Sequence, residues 1–397
     1  MSNGEVPITP GRLLLADGDG LAYYCSGNDE TDPGQARANL INKLKAAQRA
    51  CGAEEVRILM TSRGSHKGHR YAVARVKPYQ GQRTDSRRPK NWEFLRELLD
   101  TQALPDFTYE TTGIAEADDL FSRYAKGHPD CVIYTQDKDM RMIPGKHLDW
   151  LTHILFTLHP GQFRVVHDDK VWGRSWFWSQ MLHGDSADNI PGLPFYTDGS
   201  IVKSGENKGK LKEIRCGEKS DLVVNVLPKI DSDLGACSVL SAPWASCYGD
   251  RWLVEMLEQG ILLWMRTDAE SDPFDVVKPG NPLHPLTSHQ LYPAARAELE
   301  ARITTAILLN ATTQDHGSDS DTAVPAASAA EPMRAMPAAV QHDTSSSRPR
   351  PLDGVCERGA APLVQCAAGE GGEQLPEVRG AEPRRVPSWG ARLLAKA

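Results

Sequence analysis

Aspartates directly follow two short apolar runs in this sequence of 397 residues. Residues 13–16 lead into Asp17, and residues 131–135 lead into Asp137 and Asp139. Short apolar runs bounded by polar residues are typical of buried strands. In an open parallel sheet the carboxyl ends of the strands face one crevice. We therefore expect these three carboxylates to lie close together.

Two further groups of acids have helical or turn spacing. Glu116, Asp118 and Asp119 stand at the start of a predicted helix, where Glu116 and Asp119 share one face. Asp185 and Asp188 are three residues apart in a Gly- and Pro-bounded segment, which predicts a tight turn or a helix start. Taken singly, each acid is more often a helix cap or a turn residue. Four groups at positions that can converge favour a shared site.

Carboxylates crowded into one crevice raise each other's pKa, and their desolvation adds to the unfavourable free energy. Divalent cations remove that repulsion, and hard oxygen ligands favour Mg²⁺ or Mn²⁺ over zinc. Two such ions can activate water and neutralise the attacking and leaving oxygens of a phosphodiester. The acids therefore predict a metal centre for phosphodiester hydrolysis.

Positive charge is concentrated in residues 61–90, here called the basic segment. It contains nine cations and one acid, although the whole chain has a formal net charge of −7. A solvated basic loop is the simpler interpretation. Phosphate contacts are the functional one, with Tyr71 and Tyr79 placed to stack on bases. The residues that we expect to contact DNA are Arg70, Lys77, Tyr79, Arg83, Arg87 and Arg88.

The apolar pattern predicts an α/β fold, with strands alternating with helices and a central parallel sheet covered on both faces. Helices are predicted at 35–50, 92–104, 171–182, 251–267 and 290–309, and a hairpin at 154–166 around Pro160 and Gly161. Residues 193–235 have weak periodicity and read as an insertion. From residue 310 onward there is no Ile, Phe or Tyr, a composition that predicts a disordered tail.

Composition excludes several classes of function. No run of eighteen apolar residues predicts a membrane span, and residues 1–10 do not have the pattern of a secretory signal. Eight cysteines without a Cys-x-x-Cys pair predict reduced thiols in a cytoplasm. Residues 205–211 lack the Gly-Lys-Ser/Thr of a P-loop, so a nucleotide hydrolase of that class is not supported.

Four local strings resemble the 5′-nuclease family found in phages and in the amino-terminal domains of bacterial DNA polymerases. They are LLLADGDGLAYY, GIAEADDL, YTQDKDM and GDSADNIPG, and they occur in the family's order within residues 11–265. The last is long and specific, whereas the others are moderate singly and strong together. The resemblance is greatest to the free-standing phage-type 5′→3′ exonuclease and flap endonuclease.

The resemblance implies a PIN-like nuclease domain at 1–170, with residues 61–90 as a helical arch. It also implies a C-terminal helix-hairpin (helix-three-turn-helix) DNA-binding domain at 171–309 with the insertion at 193–235, and then the tail at 310–397. The hairpin, which would bind K⁺, is expected near residues 233–236. The expected partners are DNA 5′ ends, flaps, RNA–DNA hybrids and a replicative polymerase, for a monomer in the cytoplasm of a bacterial host.

The same resemblance implies two-metal hydrolysis of DNA. The inner metal would be held by Asp17, Glu116, Asp118 and Asp119, with Asp137 shared. The second metal would be held by Asp139, Asp185 and Asp188. Arg70 and Arg83 would steady the scissile phosphate.

Two positions depart from the family pattern. The aspartate expected after the second strand is replaced by Ser62, and the lysine of Tyr-Lys-x-x-Arg is replaced by Gln80, for which Lys77 or Arg70 would compensate. Three alternatives therefore stay open: a PIN-type ribonuclease, a relative that degrades RNA primers, and a catalytically silent DNA-binding relative. The retained acids count against silence, because DNA binding alone gains nothing from clustered negative charge.

Overall fold

A six-stranded sheet lies at the centre of the chain. In the computed structural model, residues 6–85, 87–267 and 272–315 are described, without the side chains of 84, 85 and 310–315. The sheet order is β3-β2-β1-β4-β5-β6, and every neighbouring pair is parallel except β5 and β6. The strands of the sheet are β1 (Thr9–Asp17), β2 (Ala53–Thr61), β3 (Thr108–Thr112), β4 (Cys131–Tyr134), β5 (Gly145–Leu148) and β6 (Leu155–Leu158).

The two strands that precede the aspartates are neighbours in this sheet. Leu13 pairs with Cys131 and Leu15 with Ile133 in a parallel register, and all four side chains are buried. Asp17 is the last residue of β1, and Asp137 follows the end of β4. The expected α/β architecture and the adjacency of these strand ends are therefore confirmed.

Helices cover both faces of the sheet. The local signals explain their ends: α2 begins after Asp32, whose side chain accepts from the Gln35 amide, and stops at Gly52 with φ 64°. The helices are α1 (Gly18–Tyr24), α2 (Pro33–Cys51), α3 (Arg70–Val73), α4 (Trp92–Asp100), α5 (Ala117–Gly127), α6 (Arg174–His183), α7 (Asp233–Tyr248), α8 (Trp252–Leu263) and α9 (Tyr292–Asp315).

The two faces of the sheet have separate apolar cores. Leu14 and Ile58 pack with Leu40 and Leu44 of α2 on one face. On the other face Leu15 and Phe121 belong to a core that continues through α6, α7 and α8. This shared core is the physical link between the sheet and the C-terminal helices; the division into domains at residue 170 stays a prediction.

The predicted hairpin at 154–166 is wrong. Strand β6 pairs with β5, whereas β7 (Val165–His167) pairs with β8 (Lys170–Trp172). The turn of that second hairpin lies at Asp168 and Asp169, which both have positive φ. Because β8 takes residues 170–172, helix α6 begins at Arg174, three residues later than its apolar pattern suggests.

The insertion at 193–235 contains its own hairpin, formed by β9 (Phe195–Ile201) and β10 (Leu211–Arg215). Residues 233–236, where a DNA-gripping hairpin was expected, form the first turn of α7, capped by the Ser232 side chain. At the other end of the fold, α9 runs through Asp315, so the boundary predicted at 310 falls within a helix. Residues 316–397 lie outside the described residues.

Two expectations concern the environment of the chain. The six cysteines within the described residues are free thiols, five of them buried. Among the helices in the described ranges, none is long and apolar enough to cross a membrane.

Candidate metal and nuclease site

Asp17 is held rigidly at the end of β1. Its Oδ1 accepts from the Gly20 amide at 2.8 Å, so the carboxylate also caps α1. Its Oδ2 accepts from the Thr135 hydroxyl at 2.7 Å, which ties the end of β1 to the end of β4. Asp17 thus caps a helix, as predicted for a single aspartate. The same geometry is compatible with the shared site predicted for the group of acids.

Asp137 and Asp139 flank Lys138 in the short turn after β4. The Asp139 amide donates to Asp137 Oδ1 at 2.8 Å, and the Gln180 side chain on α6 donates to Asp139 Oδ1 at 2.5 Å. Lys138 Nζ lies 2.6 Å from Asp185 Oδ1. The turn therefore positions two acids and connects them to the 184–192 segment.

Gly184 shapes the segment that contains Asp185 and Asp188. The backbone N–H and C=O of Asp185 pair with those of Ile190, both at 2.8 Å, and close a tight loop. Gly184 has φ 80°, and a Cβ there would lie 2.3 Å from the Ile190 carbonyl oxygen. Only glycine fits that position. The loop brings Asp185 and Asp188 to Asp139, and one oxygen of each of these three carboxylates lies within 4.8 Å of the others.

Asp118, at the start of α5, differs from the other acids. Its half-buried carboxylate accepts no hydrogen bond within the described ranges. Burial and the negative charges of Asp137, Glu116 and Asp17 raise its pKa well above the usual value. A carboxylate in this situation requires a cation or a proton.

The acids interact electrostatically as one group. Burial and Asp19 raise the pKa of Asp17 to about 6. Burial and the carboxylates of Asp188, Asp17 and Asp185 raise the pKa of Asp137 to about 7. Burial and neighbouring acids also raise the pKa of Asp139 and Asp188. We call this group the carboxylate cluster: Asp17, Glu116, Asp118, Asp137, Asp139, Asp185 and Asp188.

Asp119 does not face the cluster. Its two oxygens each accept from the Arg70 guanidinium at 2.9 Å, and both side chains are fully buried. Arg70 also donates to the carbonyls of Leu262 and Trp264. Burial raises the pKa of Asp119, but the positive charges of Arg70 and Arg266 lower it by more, so the pKa lies below the usual value. The structure thus corrects the expectation that Asp119 holds a metal and that Arg70 contacts DNA, because this pair is sealed inside the core.

The basic segment covers the carboxylate cluster. The residues that contact cluster carboxylates and that we call the roof are Lys67, Tyr79, Gln80 and Arg83. Lys67 Nζ lies 3.1 Å from Glu116 Oε1 and also donates to Gln80 Oε1. Gln80 Nε2 donates to Asp188 Oδ1 at 2.9 Å, and Arg83 pairs with the same carboxylate. The cation beside Gln80 is therefore Lys67, and not Lys77 or Arg70 as expected.

Tyr79 is part of the same roof. Its ring is buried, and its hydroxyl lies 2.8 Å from Glu116 Oε2 and 3.0 Å from Asp188 Oδ2. This burial corrects the expectation that Tyr79 stacks on bases. Tyr71 remains half exposed and packs its ring edge-on against Tyr79.

The other predicted DNA contacts lie on the surface. Lys77 is exposed, Arg87 pairs with the exposed Asp29, and Arg88 lies over the Trp92 ring at 4.1 Å. Arg83 is half exposed at the edge of the cluster. The structure therefore leaves four of the six predicted cations and aromatics accessible and buries two.

Sequence reasoning missed the donors that hold the acids. Lys67 and Gln180 contact carboxylates on other segments, and no local motif marks either residue. Lys138 had a visible signal, because it stands between two aspartates of one string. Thr135 had another, since it ends the apolar run before Asp137.

Similarity to known proteins is found among solved structures. No protein-family model and no curated protein matches the chain. Among solved structures, the 5′-exonuclease of bacteriophage T5 with bound zinc matches at 14% identity and a TM-score of 0.44, over 73% of this chain and 99% of that one. The phage T5 flap endonuclease in a pseudo-enzyme–product complex with DNA and metal ions matches at 14% identity and a TM-score of 0.42, over 74% and 99% of the chains.

Both of these solved structures are phage T5 5′-nucleases. At these identities and TM-scores the likeness carries no argument, and the chemistry rests on the carboxylate cluster itself.

Proposed function

We propose that this chain is a divalent-metal-dependent 5′-nuclease that hydrolyses DNA phosphodiester bonds. One observation carries the proposal: seven carboxylates from four separate segments converge at the carboxyl ends of β1 and β4. Their mutual repulsion is unfavourable in the metal-free protein and must be relieved by protons or by cations, and bound cations relieve it while the acids stay ionised.

The donor set fits a hard cation. Asp139, Asp185 and Asp188 offer three oxygens at ligand spacing, and Asp118 has no protein partner in the described ranges. No cysteine or histidine belongs to the cluster, which favours Mg²⁺ or Mn²⁺. We propose Asp17, Glu116, Asp118 and Asp137 as holders of one ion and Asp139, Asp185 and Asp188 as holders of a second. When bound, such ions polarise the phosphodiester and water.

The roof residues supply positive charge beside the acids. Lys67 and Arg83 each contact a cluster carboxylate and are partly exposed, so an incoming phosphate can take over their hydrogen bonds. Both cations would then stabilise the charge that develops on the phosphate. The exposed Lys77, Arg87 and Arg88 would hold neighbouring phosphates of the strand, without reading base sequence.

A digestion panel tests the proposal. Duplex, 5′-flap and RNA–DNA hybrid substrates labelled at the 5′ end are incubated with the enzyme in Mg²⁺, in Mn²⁺ and in chelator. We expect cleavage of DNA near the 5′ end only with metal. Cleavage restricted to RNA would support a PIN-type ribonuclease, and tight DNA binding without cleavage would identify a silent relative.

Asp137→Ala is the matched variant for that panel. We expect it to lose at least nine-tenths of the turnover in Mg²⁺ and to keep its DNA affinity, since the lost group lies among the other carboxylates and is a holder of metal rather than of phosphate. A variant that keeps full turnover would remove Asp137 from the site.

A further inference from the structure

A cavity of about 350 Å³ opens beside Asp137, and none of its lining residues belongs to the basic segment. Its walls come from the end of β4, from β5 and β6, and from the β7–β8 hairpin. Asp137 belongs both to this wall and to the carboxylate cluster. The volume is within the range of small-molecule sites, which are roughly 300–1,000 Å³.

Aromatic rings line the cavity. Phe156 and His167 are stacked with centroids 4.1 Å apart, and Trp172 lies 4.9 Å from Phe156. All three are partly exposed. Flat, partly exposed rings suit a planar ligand.

Arg141 adds a cation to the same wall. Its side chain lies over the Trp176 ring at 4.8 Å and makes no hydrogen bond or ion pair with a described residue. Asp149, an acid of the same cavity, does have hydrogen-bond partners. Its Oδ1 accepts from the Thr152 amide at 2.7 Å and from the Thr152 hydroxyl at 2.8 Å. The charges of Asp139 and Asp137 act on this guanidinium from a distance, but no carboxylate of the described residues is hydrogen-bonded to it, so it is suited to a phosphate oxygen.

We propose that this cavity binds one nucleotide of the strand that is cut at the carboxylate cluster. The base lies against Phe156 and Trp172, and Arg141 contacts the phosphate. Base stacking of this kind tolerates any sequence, because every base has a π face. The inference rests on the proposed nuclease function, since the shared Asp137 is what places the cavity one step along the strand.

An abasic scan on the wild-type enzyme tests the proposal without any folding risk. A single abasic nucleotide is moved along a 5′-flap substrate, and kcat/KM is measured at each position in Mg²⁺. We expect one position near the cut bond to lose roughly five- to a hundredfold, the usual effect of removing one stacked base. Equal kcat/KM at every position, with normal cleavage, would overturn the cavity proposal and leave the nuclease function intact.

Variants assign the sensitive position to the cavity. In Phe156→Leu the abasic penalty at that position should largely disappear, because the stacked contact is already lost. Arg141→Gln removes a phosphate contact, so it should lower kcat/KM for the intact and the abasic substrate alike. Tyr23→Leu and Arg37→Gln are matched controls on exposed residues outside the cavity and should keep both the full penalty and the wild-type kcat/KM. A penalty that persists in Phe156→Leu would place the base elsewhere.

Binding measurements distinguish a failure of the proposed nuclease function from a failure of the cavity proposal. If no substrate is cut with any metal, the nuclease function fails, and the same abasic scan is read as affinity for the uncut flap. One position whose loss of affinity vanishes in Phe156→Leu would still support the cavity. Quenching of tryptophan fluorescence by a free deoxynucleoside monophosphate, together with a flat abasic scan, would instead identify a free-nucleotide site and overturn the strand proposal.

Discussion

The carboxylate of Glu116 is surrounded by four donors from the basic segment. Lys67 and Gln80 contact Oε1, and Arg70 and the Tyr79 hydroxyl contact Oε2. Of the two cations, Arg70 is committed to Asp119 and is sealed from solvent, whereas Lys67 remains partly exposed. At the scale of single residues, Lys67 is therefore the cation that can move from a carboxylate to a phosphate.

We predict that Lys67→Met lowers the single-turnover rate at saturating DNA by roughly ten- to a hundredfold, because a charge beside the phosphate is lost. Lys67→Arg should keep most of the rate. Lys77→Met is the control: an exposed cation of the same segment should alter only affinity, with a change of about 0.7 to 0.9 in the log–log salt slope. Equal rates for Lys67→Met and wild type would make Lys67 a structural residue.

Asp118 and Asp119 show how one helix start serves two purposes. They are adjacent at the start of α5, yet Asp118 faces the carboxylate cluster and Asp119 faces Arg70. The Arg70 side chain in turn donates to carbonyls at the end of α8, so one buried pair joins α3, α5 and α8. At the scale of elements, this pair anchors the basic segment to the body of the protein.

We predict that Asp119→Ala lowers the free energy of unfolding by about 3–5 kcal/mol, because the buried Arg70 loses its two-point partner and keeps only the Glu116 carboxylate, 3.2 Å away. Asp118→Ala is the neighbouring control. It should not destabilise the metal-free protein, since it removes a repelling charge, but it should abolish cleavage. Chemical denaturation of both variants in chelator checks the prediction. A small loss for Asp119→Ala would mean that Glu116 or water is a sufficient partner for Arg70.

The carboxylate cluster joins parts of the chain that are far apart in sequence. Asp17 and Asp188 lie near the two ends of the part that carries the motifs, and they meet only because the sheet and α6 bring the strand ends and the 184–192 loop together. At the scale of the whole molecule, the metal binding that we propose should therefore be coupled to folding.

We predict that Mg²⁺ or Mn²⁺ stabilises the folded protein. At a hundred times the dissociation constant the gain is about 2.7 kcal/mol, which for a body of this size raises Tm by several degrees. Thermal unfolding with metal and with chelator measures it, with Asp118→Asn and Asp185→Asn as variants that should respond less. An identical Tm with and without metal in the wild type would argue against a metal centre.

Removing residues 316–397 should leave both Tm and specific nuclease activity unchanged. The physical reason is compositional, because a stretch without Ile, Phe or Tyr cannot bury enough apolar area to order itself. The truncation is placed after Asp315 and not at 310, so that α9 stays whole. A lower Tm in the truncated protein would show that the tail packs on the body.

Much of the fold was readable from local patterns. The apolar runs before Asp17 and Asp137 became β1 and β4, and the Gly52 stop ended α2. These predictions succeeded because strand burial and helix capping depend on neighbouring residues. The prediction of a hairpin at Pro160 was wrong, because strand pairing depends on which strand lies alongside, and β6 pairs with β5.

The sequence by itself determined the α/β pattern and the acid-bearing segments, since residue type and spacing are enough to predict strand ends and turns. Only the tertiary structure decided which acids face one another. It turned Asp119 toward Arg70, forty-nine residues away, and set Lys67 beside Glu116. The reason is physical: an ion pair forms where packing brings two side chains together and excludes water, and neither condition is written in the local sequence.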